Sequence, residues 1–145
     1  MVKFITPYDS LYVRSMALFN GKPLNEVKLR EDDMEGSFHL GFWKQQQIVA
    51  VASFFPVGLE GYEGKGYRLR QMGVLPHHQG EGLGRKVLEK GLVHLQTELD
   101  TDYLWCNARK IAYSFYERLG MAFISEEFEV PNIGPHKKMI IHLSK

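Results

Sequence analysis

Three glycines, Gly80, Gly82 and Gly84, fall within five positions of the stretch VLPHHQGEGLGRKVL (74–88), where an apolar run gives way to a helical pattern. At a strand-to-helix junction, free backbone N–H groups and the positive end of a helix dipole converge, and such a place binds phosphate. Glycine suits it because a side chain would hold an anion away from the backbone, and because the turn can require a positive φ. A second stretch, WCNARKIAYSFYERLGMAF (105–123), places a lone cysteine, Cys106, and a tyrosine, Tyr116, among aromatic residues. In acyl chemistry a thiol can carry the acyl group covalently and a phenol can give up a proton.

Spacing decides which phosphate ligand the glycines suit. A nucleotide-binding P-loop ends in Gly-Lys-Ser/Thr, but Gly84 is followed by Arg85 and Lys86, so the hydroxyl that would hold magnesium is missing. The dinucleotide fingerprint needs a small residue three after its second glycine, and from Gly82 that position is Arg85. The series Gln79-Gly80-Glu81-Gly82-Leu83-Gly84 instead follows a Gln/Arg-x-x-Gly-x-Gly/Ala pattern preceded by MGVLP. It resembles the pyrophosphate-binding loop of the GNAT superfamily of acyl-coenzyme A-dependent N-acetyltransferases. WCNARKIAYSFYERLGMAF is similar to the second signature of that superfamily, a strand leading into a helix with a Phe/Leu-Tyr pair and closing at Leu-Gly. FHLGFWKQQQIVAVASFFP and FEVPNIGPHKKM are similar to a branch of its members without assigned substrate. The resemblance runs from about Phe38 to Met139 and leaves the acceptor open.

The resemblance implies transfer of an acetyl group from acetyl-CoA, a cosubstrate used without a metal, to a primary amine by direct attack in a ternary complex. The backbone amides of Gly80 to Arg85 would hold the pyrophosphate. Met72, Gly73 and Val74 would pair with the pantetheine arm as an added strand, one N–H polarising the thioester carbonyl. Tyr116, matching the tyrosine of the Phe/Leu-Tyr pair, is the candidate general acid for the departing thiolate. Pattern alone puts it on the apolar face of Ile111, Ala112, Phe115 and Leu119. A phenol with a pKa near 10 donates mildly uphill to a thiolate whose conjugate acid is near 8.5, so position and environment must help.

Two positions depart from the superfamily pattern. The asparagine often found seven residues before the tyrosine is here Arg109, and the nearest asparagine, Asn107, shares its strand parity; either is a candidate cofactor contact. Met121 replaces a common phenylalanine and bears on packing. His39, Glu126, Glu127, Glu129 and His136 are the titratable groups on strand edges and loops from which a base could come, and none is singled out. Cys106, flanked by apolar residues with no histidine near it in sequence, reads as buried and inert. A module of the same fold that holds acyl-CoA without turnover is the alternative to an enzyme.

These groups need elements to position them. Thr6 and Pro7 open a first helix with a stripe of Tyr8, Leu11, Tyr12, Leu18 and Phe19, closed by Asn20 and Gly21. The polar segment 22–36 reads as loop or frayed helix. SFHLGFW and IVAVASFF flank KQQQ as a hairpin, and PVGLEGYEGKG is flexible by composition. YRLRQMGVL is a strand, and the helix in GRKVLEKGLVHLQTEL carries Leu83, Val87, Leu88, Leu92, Leu95 and Leu99 on one face. The strand DYLWCNA, the helix IAYSFYERLG and the strands FISEEFEV and KKMIIHL follow, the last two joined by PNIGP. The order αββ, βαβα, ββ predicts an α/β domain, an α+β mixed sheet with helices on both faces and a right-handed, parallel strand-helix-strand unit in the middle. The resemblance implies a single GNAT-like domain over 1–145 whose sheet is mostly antiparallel, with the parallel pair splayed.

Composition narrows the partners. The 145 residues carry 18 basic and 17 acidic side chains, a net +1, mixed along the chain. That balance offers no field for a nucleic-acid backbone or an anionic membrane and favours a small-molecule amine, a protein amine remaining open as acceptor. A single cysteine forms no internal disulfide, and the start MVKFITPYDS has no apolar signal core. A cytoplasmic protein is expected, with a homodimer left open.

Overall fold

A computed structural model describes residues 1–143. Its centre is one eight-stranded sheet of β1 (Val2–Ile5), β2 (Phe38–Lys44), β3 (Gln47–Phe55), β4 (Gly66–Val74), β5 (Tyr103–Arg109), β6 (Ala122–Phe123), β7 (Phe128–Val130) and β8 (Gly134–His142). The spatial order is β1-β2-β3-β4-β5-β8-β6, with β7 also paired to β8. β4 pairs with β5 in parallel, as the order of elements predicts, and every other pairing is antiparallel, as the resemblance implies. β1 was not anticipated from sequence: four residues with intermediate burial at both ends give no alternation to read, and only pairing with β2 makes them a strand.

Helix α1 (Pro7–Leu18) starts where Thr6 and Pro7 predict, with a capping box in which Thr6 Oγ1 accepts from the Asp9 N–H and Asp9 accepts from the Thr6 N–H. Its buried face differs from the predicted stripe. Tyr8 and Tyr12 are exposed, and the helix instead buries Leu11, Val13 and the polar Ser10, Arg14 and Ser15. Arg14 is inside because Asp32 is there to meet it, a partner that no helical periodicity reports. The segment 22–36 is neither a helix nor an open loop but carries two single 3₁₀ turns, Leu24–Glu26 and Arg30–Asp33.

Helix α2 (Leu83–Thr97) buries Leu83, Val87, Leu88 and Leu95 as the periodicity predicts. Gly91 lets it lie directly on Phe54 of β3, since a Cβ there would overlap the ring. On the opposite face of the sheet, Gly73 of β4 admits α1, a Cβ at that position meeting Ala17 and Leu18 at 3.0 and 3.2 Å. The two long helices thus cover opposite faces, while α3 (Tyr113–Arg118) packs against β5. The hairpin turn between β2 and β3 has both Gln45 and Gln46 at positive φ, 50° and 67°, as a two-residue connection between twisted strands requires. The glycine-rich loop after β3 is more firmly held than its composition suggests. Val57 and Leu59 pack on Tyr103 and Trp105, the Leu59 N–H donates to the Tyr103 hydroxyl at 2.8 Å, and the Lys65 N–H to Asp102 at 2.6 Å.

Candidate active site

The site begins where β4 and β5 part. They pair through Gly66–Tyr103, Tyr67–Leu104 and Arg68–Trp105 and no further, so Leu69–Val74 faces a gap on its β5 side. A bulge accompanies the divergence. Ser53 of β3 pairs with Arg70 and Val51 with Gly73, leaving an extra residue on β4 at Gln71, whose φ is +56°. Bulges re-aim the strand that carries them and raise its twist. Beyond the bulge, the Leu75 N–H donates to Val49 O at 2.8 Å, and by alternation the backbone groups of Gly73 also face β3. The groups of Val74 and Met72 then face the gap, and the Val74 carbonyl accepts there from Gln79 Nε2 at 3.2 Å.

A cleft opens at this edge, lined by Met72, Val74, Gln79, Gly80, Gly82, Leu83, Gly84 and Arg85. Eight of the expected site residues therefore line one cavity, together with His78 and Phe115, which the sequence reading did not single out. Their signal was adjacency: His78 precedes Gln79 and Phe115 precedes Tyr116. Gly80 and Gly82 lie at φ +83° and +76°, with nothing within 4 Å of where a Cβ would stand. They keep the loop open by backbone conformation and by the empty space beside them, as an anion cradle needs. Gly82 is the N-cap of α2 and offers no capping side chain, so the first-turn N–H groups of that helix are left for other acceptors.

Four expected contacts, Gly73, Glu81, Asn107 and Arg109, stand elsewhere. Gly73 faces β3 and α1, so its lack of a side chain serves helix packing and not approach from the gap. Glu81 is absent from the cleft lining; its carboxylate is drawn to Lys44 Nζ at 2.8 Å, with His78 at 3.6 Å. The Lys44 hydrogen bond holds that carboxyl below its ordinary value, so it remains an anion, paired away from the cleft.

Tyr116 is 8% exposed and packs edge-on against Phe115 at 5.2 Å. Its hydroxyl reaches across from α3 to β4, 3.8 Å from Met72 Sδ. Burial pushes the phenol well above its usual range, with Cys106 adding to the shift and the Arg109 guanidinium opposing it. The group therefore keeps its proton throughout the physiological range. Arg109 stands over the Phe19 ring at 5.8 Å, and Asn107 Oδ1 accepts from Lys138 Nζ at 3.0 Å; neither lines the cleft. Cys106 is buried, and burial pushes its thiol up to about 12, so it is a poor nucleophile.

The groups from which a base could come are engaged in structure or exposed. His136 Nδ1 donates to the Gly134 carbonyl at 2.8 Å, Glu127 accepts from the Tyr113 hydroxyl at 3.2 Å, and Glu126 and Glu129 are exposed. His39 belongs to a buried polar relay. Arg14 forms two bonds to Asp32, at 2.7 and 2.8 Å, and one to Ser53 Oγ at 2.9 Å. Ser53 Oγ lies 2.7 Å from His39 Nδ1, and His39 Nε2 lies 3.1 Å from the Asp32 carbonyl. A carbonyl only accepts, so Nε2 carries a proton; in the neutral ring, which burial favours, Nδ1 accepts from the serine hydroxyl.

Burial lowers the His39 pKa against the opposing pull of Asp32. The native state binds fewer protons than the unfolded chain, so this contribution is intact above about pH 6.5 and is lost as pH falls below it. Chemical denaturation at pH 7.5 and 5.5 is expected to show a stability loss on acidification that His39→Gln diminishes. An equal loss in both proteins would place the acid sensitivity elsewhere.

Residues 8–121 match the acetyltransferase (GNAT) family. The chain is 33% identical over 136 residues to the uncharacterized N-acetyltransferase YitI of Bacillus subtilis (strain 168), covering 93% of this chain and 91% of that protein. Among solved structures, it superposes on the ribosomal-protein-S18-alanine N-acetyltransferase of Escherichia coli with a TM-score of 0.76 at 18% identity, covering 100% of this chain and 96% of that one. It superposes on an aminoglycoside 6'-N-acetyltransferase complexed with coenzyme A with a TM-score of 0.72 at 12% identity, covering 100% and 98%. Among the described residues, no helix is long and apolar enough to cross a membrane.

Proposed function

We propose, from the premise that the chain belongs to the acetyltransferase (GNAT) family, that it transfers an acetyl group from acetyl-CoA to a primary amine by direct attack within a ternary complex. The observation that carries this reading is the divergence of β4 from β5 after three paired residues, opening onto the glycine loop at the start of α2. The open Cα faces of Gly80 and Gly82 fit a bulky anion at that loop. Acetyl-CoA would supply the thioester at which the amine attacks.

The chain's own groups grip the cofactor, orient the carbonyl and protonate the leaving thiolate, while the proton lost by the attacking amine passes to water, from which Tyr116 is reprotonated. The N–H groups of residues 80–85, with the α2 dipole behind them, hold the pyrophosphate. The gap-facing backbone of Met72 and Val74 takes up the pantetheine arm as a strand would, and an N–H there orients and polarises the carbonyl. The Tyr116 hydroxyl, beside Met72, would give its proton to the leaving thiolate; burial makes the phenol a weaker acid, and the transfer requires that the same burial raise the proton affinity of the thiolate. Two chemical classes of acceptor, small amines and protein amines, are compatible with the fold.

The reading is tested with a panel of amine acceptors, following release of free thiol from acetyl-CoA. Turnover with at least one amine is expected, and tight acetyl-CoA binding without turnover on any amine would refute it. Gly82→Asp separates the loop from the rest of the site. A Cβ meets no atom there, so the fold should lose only about 1–2 kcal/mol, the left-handed backbone cost for a residue that tolerates it well. The new carboxylate would repel a pyrophosphate. Acetyl-CoA is expected to raise the melting temperature of the parent protein and not of the variant; equal shifts would reassign the loop.

A further inference from the structure

On the α1 face of the sheet, at the last paired position before β4 and β5 part, two cations stand against one indole ring. Arg68 Cζ lies 4.9 Å and Lys138 Nζ 5.3 Å from the centroid of Trp105. The indole is buried and fixed, its Nε1 donating to the Val57 carbonyl at 2.8 Å. A third cation on this face, Arg70, is committed to Glu31 at 2.6 Å, and Glu31 is the acidic group whose charge also reaches Arg68. The other two have no such partner. Lys138 donates to the neutral oxygen of Asn107, and Arg68 Nε is buried without a hydrogen-bond partner. Among the described residues, no carboxylate lies within ion-pair distance of either.

Two like charges, each half-buried and leaning on the same ring, repel one another and have lost part of their hydration. A planar guanidinium with unfilled donors beside a flexible ammonium suits a carboxylate. Their place matters as much as their charge. The glycine loop and its cleft lie toward α2, whereas this pair faces α1 at the root of the same gap, where an acceptor would meet a thioester held along β4.

We infer that Arg68 and Lys138 receive a carboxylate of the acceptor, so that the acceptor is a small amine bearing a carboxylate, the class to which free amino acids belong. The inference rests on the transferase reading for its location and on the cation pair for its chemistry. It also accounts for an arginine without an ion-pair partner at the last position where the two strands still pair.

The test uses the full chain saturated with coenzyme A, which occupies the donor site without reacting, and titrates it by calorimetry with L-amino acids, short ω-amino acids and the carboxamide of each. At least one carboxylate is expected to bind, its carboxamide roughly tenfold or more weaker, as befits a lost charge-assisted contact. Arg68→Gln and Lys138→Met should each weaken the carboxylate by about tenfold while leaving carboxamide and coenzyme A affinity within about twofold. Binding of no carboxylate, equal binding of acid and amide, or discrimination intact in both variants would overturn the inference. The acid-to-amide ratio is measured on the parent protein, so it stands even if a variant folds poorly. The two readings fail separately: acetylation of neutral amines without amino-acid binding removes the cation-pair assignment alone, and amino-acid binding without any acetylation removes the transferase assignment alone.

Discussion

Replacing Tyr116 by phenylalanine is expected to lower turnover by roughly 10²- to 10⁴-fold, the range that a positioned proton donor contributes. The substitution deletes one oxygen from a side chain that is 8% exposed and leaves the ring against Phe115. The lost contact is a long one, 3.8 Å to a thioether sulfur, so folding should be nearly unchanged. Acetyl-CoA affinity should be retained, because the glycine loop and the gap-facing backbone are untouched. Steady-state kinetics with thiol detection, paired with a thermal-shift titration of acetyl-CoA, distinguishes the outcomes. Unchanged kcat would remove Tyr116 as the acid, and lost cofactor binding would make its role structural. The elevated pKa of the phenol adds a pH criterion: an alkaline decline in rate within the physiological range would have to come from another group.

The largest effect on stability is expected at Asp32. Burial alone would raise the pKa of this carboxyl, but the hydrogen bonds from Arg14 and the Leu29 N–H, with the charge of Arg14, outweigh it and hold the group below its usual value. Asp32→Ala leaves the fully buried guanidinium of Arg14 without its counter-charge, a change that typically costs about 3–5 kcal/mol. For a chain of this size that amounts to roughly 10–16 °C in melting temperature. The same carboxylate ties the segment 22–36 to α1, so its loss should also free the wall that carries Glu31 and, through it, Arg70. Because the native carboxyl has the lower pKa, its contribution is intact above about pH 4 and lost as pH falls further, below the window in which His39 acts. Denaturant titration of the variant that matched the parent within about 1 kcal/mol would show the pair to be dispensable.

Much of the site was legible because its chemistry is local. The loop at the cleft is made of consecutive residues, so Gln79, Gly80, Gly82, Leu83, Gly84 and Arg85 could be named together from the glycine pattern and the resemblance it carries, and the strand and helix that frame them follow from the apolar periods on either side. The α2 face was correct for the same reason: Leu83, Val87, Leu88 and Leu95 recur at a helical interval and bury together. The α1 stripe failed because burial there is decided by a partner 18 residues away, Asp32, which draws an arginine inward and leaves Tyr8 and Tyr12 outside. His39 could not be separated from a catalytic base by sequence, since the burial that favours its neutral ring and its partners, Ser53 across the hairpin and the Asp32 carbonyl, are set by the fold.

Neighbours along the chain and patterns of fixed spacing made the starts of α1 and α2, the hairpin, the glycine loop and the family legible, whereas α3 begins at Tyr113, after a 3₁₀ turn over Lys110–Ala112, and not at Ile111 as its pattern predicts. Only the tertiary structure decided that Gly73 serves helix packing, that Glu81 is held off by Lys44, that Tyr116 touches Met72, and that Arg68 and Lys138 share one indole. The physical reason is that charge pairing, proton affinity and acceptor recognition act through space, between groups 31 to 44 residues apart in the contacts of Asn107, Lys44 and Tyr116, and the fold sets those distances.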